Sequence, residues 1–315
     1  MSKTIRNIQS ILLLVIAFAI FPNFLLSDQS IESEVKTTIC FISDTQTPLW
    51  TERLFLKSEK NEAATDALFN DIIKQKPTSL FILGDMVSKS SNNSSWKTLD
   101  KSIELLKKSS ILVNAIPGNH EYMSSDKKAM RNYLQRFPVK TLHGYFQVID
   151  SIAILMLNSN FDNLSKIEIK QQNDWYARTM DSLNQTASIK LIIVACHHSP
   201  FTNSKIVSSS KKVQQFFVPK YLECNKAKLF ISGHSHNLEQ FKYKGKDFLV
   251  IGGGGGPMQP LKKPANQSWK DEISSDIKPR FFYIMIEKNH GKITVIARGC
   301  KIPSIQLNEI NILSL

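Results

Sequence analysis

Asp44, Gln46, Asp85, Asn119, His120, His197, His198, His234 and His236 are residues of the kinds that bind divalent metals, and all nine stand just beyond runs of apolar residues. The runs are "TTICFIS" before Asp44-Thr45-Gln46, "SLFIL" before Gly84-Asp85, and "ILVNAIP" before Gly118-Asn119-His120-Glu121. "LIIVAC" precedes His197-His198, and "LFIS" precedes Gly233-His234-Ser235-His236. One Asp after an apolar run is ordinarily a turn or a helix cap. Five endings of this kind in succession point instead to one shared site. Carboxylate, amide and imidazole together make a mixed oxygen and nitrogen donor set that suits Zn, Mn, Fe or Mg. Extended backbone alternates sides, so Asp44 with Gln46, and His234 with His236, can each send two side chains into one crevice. The glycines allow tight corners and close approach to the backbone.

The elements that must carry these residues can be read from the same sequence. After residue 35 the pattern alternates: strand, the amphipathic helix "NEAATDALFNDIIKQ", strand, the helix "SSWKTLDKSIELLKKS", strand. That order gives parallel β-α-β units, whose sheets collect their sites at the C-terminal ends of the strands. A helix over "SSDKKAMRNYLQRF" follows, then a hairpin of "YFQVID" and "IAILMLN" through Ser151, and a helix over "IKQQNDWYARTMDSL". "KLIIVAC", "AKLFIS", "DFLVIGG", "FFYIMIE" and "KITVIAR" read as strands, the last two joined as an antiparallel hairpin across "KNHGK". Residues 257–280 read as an irregular segment able to overhang the site, with Lys262, Lys263 and Trp269 as candidate substrate contacts or simply solvated surface.

In this order and spacing the blocks resemble the calcineurin-like metallophosphoesterase superfamily, whose motif set is D-x-H, G-D, G-N-H-E/D, H and G-H-x-H. "GD" at 84, "GNHE" at 118, the His pair at 197 and "GHSH" at 233 match as they stand; the first block departs, reading "DTQ". The resemblance covers roughly residues 37–255. It implies an α/β fold of two mixed β-sheets packed face to face with helices outside, a four-layer sandwich spanning 37–300, with 301–315 as a C-terminal tail. It also implies two divalent ions (Mn, Fe, Zn or Mg): Asp44, Gln46, Asp85 and His236 around the first, and Asp85, Asn119, His234 and His198 around the second. His198 is chosen because Ser199-Pro200 follows it, with His197 as the fallback. The implied reaction is two-metal hydrolysis of phosphoesters by a metal-bridging hydroxide, with His120 as general acid. Glu121 would steady the loop, and Gly252 to Gly256 would form a tight corner near the metals.

The departures narrow the family. Purple acid phosphatases have a ligand Tyr three places after the Asp of G-D, where this chain has Ser88. Serine/threonine protein phosphatases read G-D-x-V-D-R-G and R-G-N-H-E, against "GDMVSKS" and Pro117 here. The expected activity is phosphomonoester hydrolysis, with a phosphodiesterase of the sphingomyelinase-like or cyclic-nucleotide type as the alternative. Gln46 also leaves open a non-catalytic metal-binding scaffold.

Composition sets the remaining expectations. In 315 residues the chain has 42% apolar and 21% charged residues, an ordinary globular balance. Lys3 and Arg6 precede the uncharged run from Ile8 to Leu26, which reads as a signal peptide over residues 1–27 or as an N-terminal membrane anchor. Either reading places the body outside the cytoplasm, as a periplasmic or secreted domain. The net charge is +13, and Lys3 and Arg6 account for two of these charges. Such a field favours anionic substrates or surfaces, or is simply a solvated basic surface; the resemblance implies a small-molecule or lipid-linked phosphoester as the substrate. Lys and Arg are scattered, so no dedicated nucleic-acid binding is expected. Cys40, Cys196, Cys224 and Cys300 are too few for a disulfide scaffold; Cys40 and Cys196 read as buried thiols, and a bridge such as Cys224 to Cys300 stays open.

Overall fold

Most of the apolar runs are strands buried on both faces, that over Leu112–Ala115 being partly exposed, and they stack into two sheets. A computed structural model of the chain describes residues 36–56, 59–123, 126–138 and 143–315, so the expected signal or anchor lies outside the described residues. In chain order the elements are β1 (Thr37–Ile42), α1 (Glu52–Phe55), α2 (Asn61–Gln75), β2 (Ser79–Ile82), α3 (Asn93–Lys108), β3 (Leu112–Ala115) and α4 (Asp126–Arg136). Next come β4 (Gly144–Ile149), β5 (Ile152–Leu157), α5 (Lys166–Gln185), β6 (Leu191–Cys196), α6 (Lys211–Phe216), α7 (Val218–Glu223) and β7 (Ala227–Ser232). The chain finishes with β8 (Leu238–Tyr243), β9 (Lys246–Ile251), β10 (Phe281–Asn289), β11 (Lys292–Cys300) and β12 (Asn308–Ser314).

One sheet has the order β12-β11-β10-β1-β2-β3, the other β4-β5-β6-β7-β9-β8. β1, β2 and β3 are parallel, as are β5, β6, β7 and β9, while β10, β11 and β12 on one sheet and β4 and β8 on the other pair antiparallel. Both sheets are therefore mixed. Strand alternation sorts the side chains into layers. Ile39 and Phe41 of β1 meet Ile154 and Met156 of β5 and Ile193 of β6 in the core between the sheets. Cys40 and Ile42 face the other way, toward Ala64, Leu68 and Ile72 of α2, a stripe at helical spacing, and Trp96 of α3. On the far side, Leu155, Val194 and Phe230 pack against Tyr176 and Met180 of α5 and Tyr221 of α7. The result is the expected four-layer arrangement, helix, sheet, sheet, helix.

Two expectations are corrected. Residues 301–315 are not a tail beyond the domain, because β12 pairs along β11 and Ile310, Ile312 and Leu313 pack on the core between the sheets. Cys224 and Cys300 are both free and buried, in apolar layers on opposite sides of the sandwich, so they do not bridge. Among the described residues no helix is long and apolar enough to cross a membrane.

Candidate metal centre

The ends of β1, β2 and β3 on one sheet converge with the ends of β6 and β7 on the other. The backbone turns sharply where they meet. Asp44, Asp85 and His234 take left-handed conformations, with φ of 59°, 48° and 66°. Such conformations are costly for residues with a side chain and concentrate at functional sites. Hydrogen bonds hold the corners in place. His234 N donates to Asp44 Oδ2 at 2.9 Å, and His120 N donates to Asp85 Oδ1 at 2.8 Å. Glu121, fully buried, accepts from the backbone N–H groups of Gly118 (2.7 Å), Asp85 (2.8 Å) and Met86 (3.0 Å). The expected loop support by Glu121 is thus a three-fold backbone clamp, made through its side chain. Burial, followed by the charge of Asp85, raises the Glu121 carboxyl to about 7.

The donor atoms lie close together. His197 Nε2 is 3.3 Å from Asp85 Oδ2 and 3.1 Å from Asn119 Oδ1, and His236 Nε2 is 3.3 Å from Asp44 Oδ1. Two atoms that each bond one ion at ~2.1 Å with a near-tetrahedral angle stand ~3.4 Å apart, so these spacings fit shared metal ligation. The histidines are also turned the right way. His197 Nδ1 donates to the Leu83 carbonyl at 2.8 Å and His236 Nδ1 to the Pro257 carbonyl at 2.7 Å. A carbonyl can only accept, so each Nδ1 carries a proton and each Nε2 is the ring atom turned toward the carboxylates, where it could bind a metal on losing its own proton. One group of candidate ligand atoms, from Asp44, Asp85 and His197, lies within 4.8 Å, and so does another from His197, His198 and His234.

Charge is distributed accordingly. Burial opposes ionisation of Asp85 most strongly, but the charges of His197 and His120 and the hydrogen bond from His197 carry it well below the usual carboxylate range. Asp44 is also lowered: burial again works against this, and His236 and His197 overcome it. Burial disfavours the charged form of His197, yet Asp85 raises it to about 9. Burial and the neighbouring His197 push His198 down to about 3, and burial with His198 and His197 lowers His234 well below the ordinary value. Ionised oxygens therefore face imidazoles, some of which keep a free lone pair.

Gln46 takes the place the family gives to histidine. Its side-chain amide is satisfied when the NH2 group donates to the carbonyls of Asp85 (2.7 Å) and Asp44 (3.2 Å). The amide oxygen then faces His236 Nε2, the neighbouring donor. A neutral oxygen thus completes the Asp44 and His236 side.

The ring between the carboxylates belongs to His197, not His198. Along β6, Ile193 and Ala195 point into the core between the sheets while Val194 and Cys196 point away. Continuing that alternation sends His197 toward Asp85. His198 instead bonds Ser159 Oγ through Nδ1 at 2.9 Å, and its ring lies 4.5 Å from that of His234. Sequence reasoning did not include Ser159. Its signal was available, since β5 also runs into polar residues, Asn158-Ser159-Asn160. His120 sits at the rim of the same group, its Nδ1 donating to the Ser88 carbonyl at 3.0 Å and its Nε2 3.8 Å from Asp85 Oδ2.

The corner from Gly252 to Gly256 packs against the site as expected. Gly254 N donates to Ser43 O and Gly256 N to Asp44 O, each at 2.9 Å. A Cβ on Gly254 would lie 2.4 Å from Ser43 O, and one on Gly256 2.5 Å from His236 Cε1, so any side chain there would displace the strand end or the ring. Pro257 holds His236, but Trp269 turns away and packs on Phe201, ring centroids 4.4 Å apart.

The family model for calcineurin-like phosphoesterases matches residues 37–238. The chain belongs to that family. It is a metal-dependent phosphoester hydrolase. Solved structures share the fold of this phosphoesterase at low identity. The purple acid phosphatase PPD1 of yellow lupin (Lupinus luteus) is 14% identical with a TM-score of 0.63, over 87% of this chain but only 53% of the lupin chain. GAP50, the anchor in the inner membrane complex of Plasmodium, is 14% identical with a TM-score of 0.60, over 88% and 89% of the two chains. A dimetal phosphatase from Danio rerio is 12% identical with a TM-score of 0.59, over 88% and 98%. No curated protein matches the phosphoesterase sequence. The fold thus serves both phosphatases and an anchor, so the substrate of this chain is argued from its site and not from the fold.

Proposed function

We propose that this phosphoesterase hydrolyses phosphomonoesters, small or lipid-linked, with two divalent ions at the joined ends of its sheets. Asp44, Gln46, Asp85 and His236 would hold one ion, and Asp85, Asn119, His197 and His234 would hold the other. The observation that carries the reading is the central place of Asp85, whose carboxylate faces both His197 at 3.3 Å and His120 at 3.8 Å and shares a ligand group with Asp44. When bound, such ions polarise the phosphoryl oxygens and acidify an attacking water.

The chain's own residues do the rest. Glu121 fixes the backbone that presents Asp85 and Asn119. His120, its Nδ1–H anchored on Ser88 O, keeps Nε2 toward the cleft, where it delivers a proton to the departing oxygen. Asp85 favours the protonated imidazole, and with burial acting against it, the His120 pKa is still raised. The scaffold reading is disfavoured because every ligand type except that of Gln46 is retained, and Gln46 itself offers an oxygen. The apolar run from Ile8 to Leu26 supports a place outside the cytoplasm.

Removing a general acid costs ~10² to 10⁴-fold when the leaving group needs a proton. His120→Ala should therefore lose most of that factor on an alkyl phosphate and far less on 4-nitrophenyl phosphate, with metal content unchanged. Equal losses would assign His120 to phosphoryl binding instead. Faster turnover of bis(4-nitrophenyl) phosphate than of the monoester by the unsubstituted protein would move the reading to a diesterase.

A further inference from the structure

His236 lines a second space besides the metal centre, a cavity of about 300 Å³ whose wall also includes Glu59, Met258, Lys278, Arg280 and Lys301. Three cations and one carboxylate thus face a space that borders a metal ligand. Arg280 is incompletely satisfied there. Its side chain is only 7% exposed; Nε bonds Glu59 Oε2 at 3.1 Å and Nη2 bonds the Gly256 carbonyl at 3.1 Å. Nη1 is buried and meets no acceptor. Burial lowers the Arg280 pKa, against the pull of Glu59. A buried guanidinium nitrogen without a partner among the described residues is costly, and an oxyanion that reached it would supply the missing acceptor. The other two cations are held at the cavity by their own anchors, Lys278 by Asp271 and exposed Lys301 by the Asp276 carbonyl. Glu59 is already engaged by Arg280, which leaves the lining net positive. The Gly256 carbonyl ties Arg280 to the corner that packs on the His236 ring, so the cavity and the metal centre share one rigid wall.

We propose that this cavity is an oxyanion subsite, in which Arg280, Lys278 and Lys301 hold a second carboxylate or phosphate of the substrate whose reacting phosphate lies at the metals. The proposal rests on the phosphomonoesterase reading and narrows it to phosphoesters that carry a second anionic group besides the reacting phosphate. Glycerol 2-phosphate, 2-phosphoglycerate and 2,3-bisphosphoglycerate share a secondary alkyl phosphate and differ in the added carboxylate and phosphate. The protein should turn over one or both charged substrates with kcat/KM about tenfold above glycerol 2-phosphate, as one charge-assisted hydrogen bond allows. Lys301→Met and Arg280→Gln should each shrink that ratio toward one. A ratio near one in the unsubstituted protein, or one that both variants leave intact, overturns the subsite. Sulfate binding tests it without catalysis. Sulfate should raise the Tm of the unsubstituted protein more than that of Lys301→Met, whose substitution is at the surface and spares the core. If no substrate is hydrolysed but this difference is found, the subsite stands and the phosphomonoesterase reading falls. If the two proteins respond equally to sulfate, the subsite falls whatever the turnover.

Discussion

The two sheets contribute different chemistry to the centre. Asp44, Gln46, Asp85 and Asn119, at the ends of β1, β2 and β3, bring oxygen donors, while His197, His198, His234 and His236, after β6 and β7, bring imidazoles. His120 is the exception on the first sheet, and it is the histidine assigned to proton transfer. Neither sheet by itself holds the set that suits a borderline divalent ion. The close pairs that look like ligation, His197 with Asp85 and His236 with Asp44, both cross between the sheets. Metal binding and correct stacking of the two sheets should therefore be linked, because the ligands are together only when the sheets are.

Breaking the oxygen side at Asp85 should have the largest effect. Asp85→Ala removes the carboxylate proposed to serve both ion sites and leaves His197 and His120 without their counter-charge. Turnover should fall to background and metal analysis should show both ions gone. Retention of both ions would show that the sites do not share Asp85.

The nitrogen side should break less completely. His197→Ala should remove one ion and lower affinity for it by at least ~10²-fold, since even residues that only support a ligand cost 10 to 100-fold. His198→Ala should keep both ions and lower kcat/KM by ~10 to 100-fold, the range of a supporting residue. The reverse pattern in metal analysis would restore His198 as the ligand. The smallest effect is expected where the contrast between sheets is blurred. Gln46→His puts an imidazole on the oxygen side and should tighten zinc there by roughly tenfold relative to manganese. Titrations with unchanged preference would mean that Gln46 does not ligate.

The chemistry of the site was more legible than its surroundings. Asp44, Asp85, Asn119, His120, His234 and His236 could be found because each ends an apolar strand, and the structure brings all six together. His197 was readable too, but only by carrying the side-to-side alternation of β6 one residue past the strand, where a motif argument chose His198. β8 was missed because Glu239 and Gln240 are buried in it. Glu239 accepts from Thr202 Oγ1 at 2.6 Å and Asn203 N at 2.8 Å, which satisfies a carboxylate that looks exposed in sequence. α6 and α7 are six residues each, too short to show a helical period. β12 carries alternating Ile310 and Ile312 and pairs along β11, the strand just before it, at the edge of its sheet. Arg280 gave no signal at all. Its significance depends on an unfilled hydrogen bond and on a cavity, both products of tertiary contacts, among them one with Glu59, 221 residues away along the chain.

Stoichiometric metal titration of the metal-free protein, with turnover of 4-nitrophenyl phosphate followed at each addition, tests the central claim most directly. Two equivalents of a divalent ion should bind, and activity should be absent without metal and complete only as the second equivalent is taken up. Binding of a single equivalent, or full turnover in the metal-free protein, would contradict a centre built jointly by the two sheets around Asp85.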